Sequence, residues 1–172
     1  MIVRPIVMGE AGALAALARQ TYVDAFGHSF IPSDLDAQLQ NALSDAYFTE
    51  AITKDTVLVA EVSGELIGFV QFGDVVSSIE ATMETDQELR RLYVLGSFQN
   101  QGVGGRLMAE ALTHPRLKRA NAIYLDVWER NEGARRFYQR HGFAVVGAKA
   151  FHLASGVAGD RDLIMVRRVK PD

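Results

Sequence analysis

The chain of 172 residues contains no cysteine. A thiolate nucleophile, a Cys-ligated zinc, an iron–sulfur cluster and a disulfide framework are thereby excluded. Redox chemistry does not fix its compartment. No apolar run approaches the roughly 20 residues that a membrane helix needs, so no membrane partner is expected. The opening MIVRPIVMGE lacks the basic region, apolar stretch and small-residue cleavage site of a signal peptide, and a cytoplasmic location is the expectation. Positive charge is also short: 18 Lys and Arg against 21 Asp and Glu give a net charge of -3. A duplex nucleic-acid binder would show a domain pI above about 9 and a basic stripe, so no nucleic-acid partner is expected. The four histidines, His28, His114, His141 and His152, show no metal-ligand spacing, which points to surface or capping roles and to no metal.

With four prolines and no Pro/Gly/Ser-rich linker or repeat, the length fits one domain over residues 1–172. Ile2 to Val7 reads as an edge strand because Pro5 would interrupt a central ladder. Leu14, Leu17, Ala18, Tyr22 and Phe26 follow a helical period over Ala11 to Phe26, with Gly27 as its stop and Ser33 as the cap of a short second helix. Ala46 to Ile52 adds another turn or two. Thr56 to Val62 and Glu65 to Val76 flank Ser63-Gly64, a two-residue hairpin signal. Glu88 to Leu95 predicts a strand, Gly102 to Thr113 a helix, and Ala122 to Trp128 a strand with Trp128 packed in the core. Asn131 caps a helix carrying Ala134, Phe137, Tyr138 and His141 on one face, Gly142 ends it, and Phe143 to Ala150 and Leu163 to Val169 supply two last strands. This order predicts a mixed sheet with helices on its faces, because strand–helix–strand units run parallel and tight hairpins antiparallel.

The segment Leu89 to Leu112 places Gly102, Gly104 and Gly105 where a turn enters a helix. Helix-start N–H groups lack intrahelical partners and carry the positive end of the macrodipole, so they suit an anion. Leu95 to Ala109 holds no acid and does hold Arg106, although helix starts ordinarily favour Asp or Glu. A Walker A loop fails for want of Lys-Ser or Lys-Thr, and a dinucleotide fingerprint fails because position 107 is Leu. On these residues alone, an ordinary turn before an amphipathic helix remains open.

Gln99-Asn100-Gln101-Gly102-Val103-Gly104 resembles the Gln/Arg-x-x-Gly-x-Gly/Ala signature with which GCN5-related N-acetyltransferases hold the pyrophosphate of acetyl-CoA. Asp126 to Asn131 and Ala134 to Phe143 resemble that family's strand, Asn and Ala-x-x-Phe-Tyr-x-x-x-Gly-Phe helix. Gly96 departs from it, since proline is common there. Beyond Phe143, Phe151, Gly156 and Asp162-Leu163-Ile164-Met165 are similar to a bacterial subgroup that acetylates spermidine and spermine. The resemblance implies an α/β (α+β) single-domain fold with a mixed, mostly antiparallel sheet, a central parallel strand pair and flanking helices.

It further implies acetyl-CoA as cosubstrate and a primary amine, small amine or polyamine, as acceptor. Gln99 to Arg106, including Gly105, would meet the pyrophosphate. Leu92, Tyr93 and Val94 would pair with pantetheine as an added strand. Asn131 would touch the cofactor, and a backbone N–H near Val94 or Leu95 would hold the oxyanion. Tyr138 would hydrogen-bond the departing thiolate, full proton transfer from a phenol to a thiolate being uphill by about 2 kcal/mol for unperturbed groups. A carboxylate on the strand before the glycine turn, here Glu88, would take the ammonium proton through water; position 90, where one subgroup carries a Glu, is Arg, and a solvated Glu88 at the strand end with a water chain or another base in its place stays open. Without cysteine there is no acyl-cysteine intermediate, so transfer is direct. Glu80, Glu84, Asp86 and Glu88 contain no neutralising Lys or Arg between them and would steer a cationic amine or form a solvated loop. Acetylation of a protein N-terminus or lysine, a noncatalytic acyl-CoA sensor and a nucleotide-binding regulatory domain are the rival readings. Apolar surface on the last hairpin could support a homodimer.

Overall fold

The computed structural model describes residues 1–29, 31–76, 83–152 and 158–169; Glu80 and Gly156 lie outside them. The strands are β1 (Ile2–Pro5), β2 (Thr56–Val62), β3 (Glu65–Asp74), β4 (Gln87–Val94), β5 (Ala122–Trp128), β6 (Ala144–His152) and β7 (Ala158–Arg168). The helices are α1 (Ala11–Phe26), α2 (Pro32–Asn41), α3 (Asp45–Lys54), α4 (Val103–Thr113), α5 (Pro115–Lys118) and α6 (Glu132–Arg140). Seven strands hydrogen-bond in the order β1-β2-β3-β4-β5-β7-β6. The β4–β5 pairing is parallel, while β1–β2, β2–β3, β5–β7 and β6–β7 are antiparallel. Two compact units divide the chain: Met1–Phe72 with Arg91–Ala111, and Gly73–Arg90 with the chain from Leu112 on.

In the first unit β1 is an edge strand, consistent with Pro5. Ser63 at φ 53° and Gly64 at φ 85° form the β2–β3 turn; two left-handed residues give a turn whose twist matches the strands. Leu14, Ala15, Leu17 and Ala18 of α1 pack into a core with Phe48 and Ala51 of α3, Val57, Val59 and Phe69. Each large side chain so buried contributes about 1.5–3 kcal/mol. α1 stops at Phe26 with Gly27 as its C-cap, right-handed at φ -54°, and a 3-10 turn over Gly27–Ser29 follows. One helix start differs from expectation. Ser33 is inside α2, because Pro32 takes the first helical position and Ile31 the capping one; proline's fixed φ and missing N–H suit that place. Ser44 caps α3 by accepting from the Tyr47 N–H.

In the second unit, Gln87 and Glu88 of β4 pair with Ile123 and Tyr124 of β5. The strand–helix–strand unit β5–α6–β6 does not place its strands side by side, because β7 pairs with both and separates them. Asn131 caps α6 by accepting from the Ala134 N–H at 3.0 Å, and Gly142 at φ 84° follows its end. Pro115 holds His114 out of helical geometry and opens α5, an element with too few residues to show a period; His114 Nδ1 accepts from the Arg116 N–H. Trp128 is half-buried rather than in the core, and its indole N–H donates to Asp160 at 3.0 Å. An indole N–H drawn to a carboxylate keeps one edge of the ring at the surface.

Candidate functional site

The first unit presents the glycine turn. After β4 the Leu95 N–H donates to the Ile67 carbonyl at 2.9 Å, and a 3-10 turn over Gly96–Phe98 follows. That bond commits the Leu95 N–H. Asn100 at φ 58° and Gly102 at φ 83° are the left-handed residues of the turn that leads into α4; Asn tolerates the left-handed region and Gly enters it freely. Val103, Leu107, Met108 and Ala111 anchor the buried side of α4. A Cβ at Gly96, Gly102 or Gly105 would meet nothing within 4 Å, so open space faces the turn.

The first N–H groups of α4 have no intrahelical acceptors, and the segment 95–109 brings no carboxylate to compete. Such a cradle fits a pyrophosphate. The glutamine side chains brace the turn instead of reaching out: Gln99 Nε2 donates to the Val94 carbonyl at 3.0 Å and Gln101 Nε2 to the Ser97 carbonyl at 2.7 Å. Arg106 is exposed. Leu92 and Tyr93 are half-buried and Val94 is buried, with the Tyr93 ring 5.6 Å from Phe69. Behind this stretch lies Gly68 on β3, where a Cβ would stand 2.8 Å from the Tyr93 carbonyl oxygen. No sequence period marks such a close approach.

The second unit presents carboxylates on one face of its strands. Glu88 is buried, and its Oε2 accepts from the Val76 N–H at 3.0 Å. Glu88 pairs with Tyr124, two residues before Asp126, while Asp126 opposes Ile164 and Asp162 opposes both Trp128 and Lys149. Asp126 Oδ2 is ion-paired with Lys149, and Oδ1 is buried without a hydrogen-bond partner. Burial pushes the Asp126 carboxyl above its ordinary range; Lys149 opposes the rise and Glu88 adds to it. Asp162 is also raised, chiefly by burial and then by Asp126. Asp126 and Asp162 were not singled out as site residues from the sequence. Strand alternation placed Asp126 with Tyr124 and Trp128, but nothing local showed that its neighbour across β7 would be another acid.

The expected acidic approach is largely consumed by the fold. Asp86 is buried and accepts from Asn121 Nδ2 and from the Met83 N–H, each at 3.0 Å, so with Glu88 also buried only Glu84 of the three described acids is exposed. Tyr138 is buried on α6, edge-on to Phe137 at 5.4 Å and Phe143 at 5.9 Å. Asn131 uses its side-chain oxygen as the helix cap, leaving its amide nitrogen for any cofactor contact. Burial lowers the pKa of His114 and His141. Among the described residues no group of three or more His, Cys, Asp or Glu side chains is placed to hold a metal ion, and no helix is long and apolar enough to cross a membrane.

The family model described as "Acetyltransferase (GNAT) family" matches residues 16–143. An uncharacterized N-acetyltransferase of Mycobacterium tuberculosis is 30% identical over 166 residues, covering 94% of this chain and 99% of the relative. The spermine/spermidine N(1)-acetyltransferase of Bacillus subtilis is 30% identical over 90 residues, 52% of this chain and 59% of that protein. Among solved structures, PaiA N-acetyltransferase of Thermoplasma acidophilum, in complex with coenzyme A, superposes with a TM-score of 0.79 at 20% identity, covering 97% of this chain and 98% of that one.

Proposed function

The chain belongs to the GNAT family of acetyltransferases, and from that premise we propose that residues 1–172 act as one N-acetyltransferase domain moving acetyl from acetyl-CoA directly to a small primary amine or polyamine. The observation that carries the cofactor assignment is the acid-free, open glycine turn at the start of α4. Backbone N–H groups of Gly102 to Gly105 hold the pyrophosphate, with the exposed Arg106 side chain beside them. Leu92 to Val94 pair with the amide-bearing pantetheine arm, and the Val94 N–H stabilises the tetrahedral oxyanion.

The acceptor ammonium gives up its proton on the side of Glu88 and Asp126. The neutral nitrogen attacks the thioester carbonyl, the C–N bond forms, the C–S bond breaks, and Tyr138 hydrogen-bonds the sulfur as it leaves; the nitrogen gives up its second proton as the amide forms, and that proton neutralises the thiolate. The named activity of the Bacillus subtilis relative supports a polyamine acceptor. Exposed Val145 and Val146 on edge strand β6 support a homodimer, which sedimentation would return as twice the monomer mass.

The deciding experiment is acetyl-CoA turnover with a panel of polyamines, amino acids, aminoglycosides and short peptides. Thiol release with spermidine or another small amine is expected. Release with peptides alone would move the acceptor to a protein. CoA binding without release would leave an acyl-CoA sensor, and ATP binding without CoA competition a nucleotide-binding regulatory domain.

A further inference from the structure

Arg91 of β4 is spent on a network that the acetyl-transfer chemistry does not use. Its Nη1 donates to the Tyr47 hydroxyl and, at 3.0 Å, to Gln71 Oε1, and its Nη2 donates to the Ala42 carbonyl at 3.0 Å. The guanidinium carbon also lies 4.5 Å from the centre of the Tyr47 ring. Fully buried Gln71 of β3 completes the set, its Nε2 donating to the Tyr47 hydroxyl at 2.9 Å and to Asp55 Oδ2 at 2.7 Å.

These contacts share one target. Ala42 ends α2, Tyr47 is in the first turn of α3, and Asp55 closes α3. The last turn of α2 has no basic residue of its own, so Arg91 supplies from β4 the cation that a helix C-terminus favours. From α1, Arg19 Nη1 donates to the neighbouring Leu43 carbonyl and to Asp45 Oδ1, both at 3.0 Å. The α2–α3 junction is therefore held between two arginines. Only one of them is on the strand that continues into Leu92, Tyr93 and Val94.

We propose that Arg91 is a positioning residue that ties the α2–α3 helices to the cofactor-pairing strand, so that filling the strand with the pantetheine arm rigidifies Pro32–Asn41 and Asp45–Lys54. The proposal rests on the acetyl-CoA reading. A planar fork suits the role, since it holds a carbonyl, an amide oxygen and a phenol at once, whereas an ammonium is a point charge without that geometry. Methionine would keep much of the stem and lose every one of these bonds.

Amide hydrogen exchange with and without CoA tests it, because protection reads local opening segment by segment. In the wild type, CoA is expected to slow exchange at 92–106 by contact and at 32–54 through Arg91. In Arg91→Met the protection of 92–106 persists while that of 32–54 disappears. Turnover then falls about tenfold, the usual scale for a network mutation that weakens coupling, with little change in CoA affinity. Arg91→Lys restores part of the effect. If Arg91→Met does not fold, Tyr47→Phe gives the same comparison with the ring kept. Protection at 92–106 with no response at 32–54 in the wild type, or equal responses in wild type and variant, overturns the coupling. A wild type whose 92–106 amides ignore CoA overturns the cofactor reading itself.

Discussion

The glycine turn at 95–109 and the carboxylate face of Glu88, Asp126 and Asp162 are polar by opposite means. The turn presents backbone N–H groups whose direction is fixed by Asn100, Gly102 and the start of α4. Nothing in that array titrates near neutral pH. The carboxylate face is built from side chains, two of them pushed up in pKa by burial first and then by a neighbouring carboxylate, Glu88 for Asp126 and Asp126 for Asp162. A fixed dipole array recognises an anion at any working pH, whereas carboxylates held near one another gain or lose a charge as conditions change. The uniform net charge of -3 conceals this division of labour.

Putting a carboxylate into the turn is the most direct way to erase the contrast. Gly105 is at the third helical position of α4, and a side chain there meets nothing within 4 Å. Gly105→Asp should therefore fold, and the acid should stabilise the helix start by about 0.3–1 kcal/mol. The same acid opposes the pyrophosphate, and like charges brought together cost several kcal/mol, so CoA affinity should fall about 100-fold. Calorimetric titration beside a thermal melt reads both. Wild-type affinity in a stabilised variant would show that the phosphates are held elsewhere.

Tyr138 belongs to the same compact unit as the carboxylate face. Tyr138→Phe keeps the ring that packs against Phe137 and Phe143 and removes the hydroxyl. Turnover should fall by about 10- to 100-fold, toward the lower end of a lost proton-donor contribution, with CoA affinity unchanged. A parallel loss of affinity and turnover would assign the hydroxyl to cofactor binding, and an unchanged rate would remove it from the reaction.

The turn was legible in sequence because its chemistry is local: glycines, a helix start and a missing acid all fall within fifteen positions. The boundaries of α1, β5 and the β2–β3 hairpin were legible for the same reason. The carboxylate face was only half visible, since Asp126, Asp162 and Lys149 meet through the β5–β7 and β6–β7 registers, and no local period reveals that β7 separates β6 from β5. Gly68 was invisible too. It carries no positive φ, and its need for glycine comes from the Tyr93 carbonyl of another strand. Gly68→Ala should cost about 1–3 kcal/mol because the obstruction is backbone and cannot rotate away. Urea unfolding would show it, and an unshifted midpoint would mean that β3 yields at no cost.

The smallest effect should appear at Asp162. Burial first, then Asp126, raises its carboxyl from the ordinary value of 3.8 in the folded protein. As pH climbs through 3.8 the unfolded chain releases this proton while the native chain keeps it, so the unfolded state binds fewer protons and stability falls with rising pH until the native carboxyl also ionises. Above both values the penalty is constant. Asp162→Asn removes it, and should stabilise the protein at neutral pH by up to about 1 kcal/mol, the cost of an imperfectly compensated partly buried charge being offset in part by Lys149. Below 3.8 both states of the wild type are protonated and the advantage of Asn should vanish. Urea midpoints taken from pH 3 to 7 would trace that window. A difference that stayed constant across it would come from packing or hydrogen bonding of the amide, and the carboxylate face would then be no more titratable than the turn.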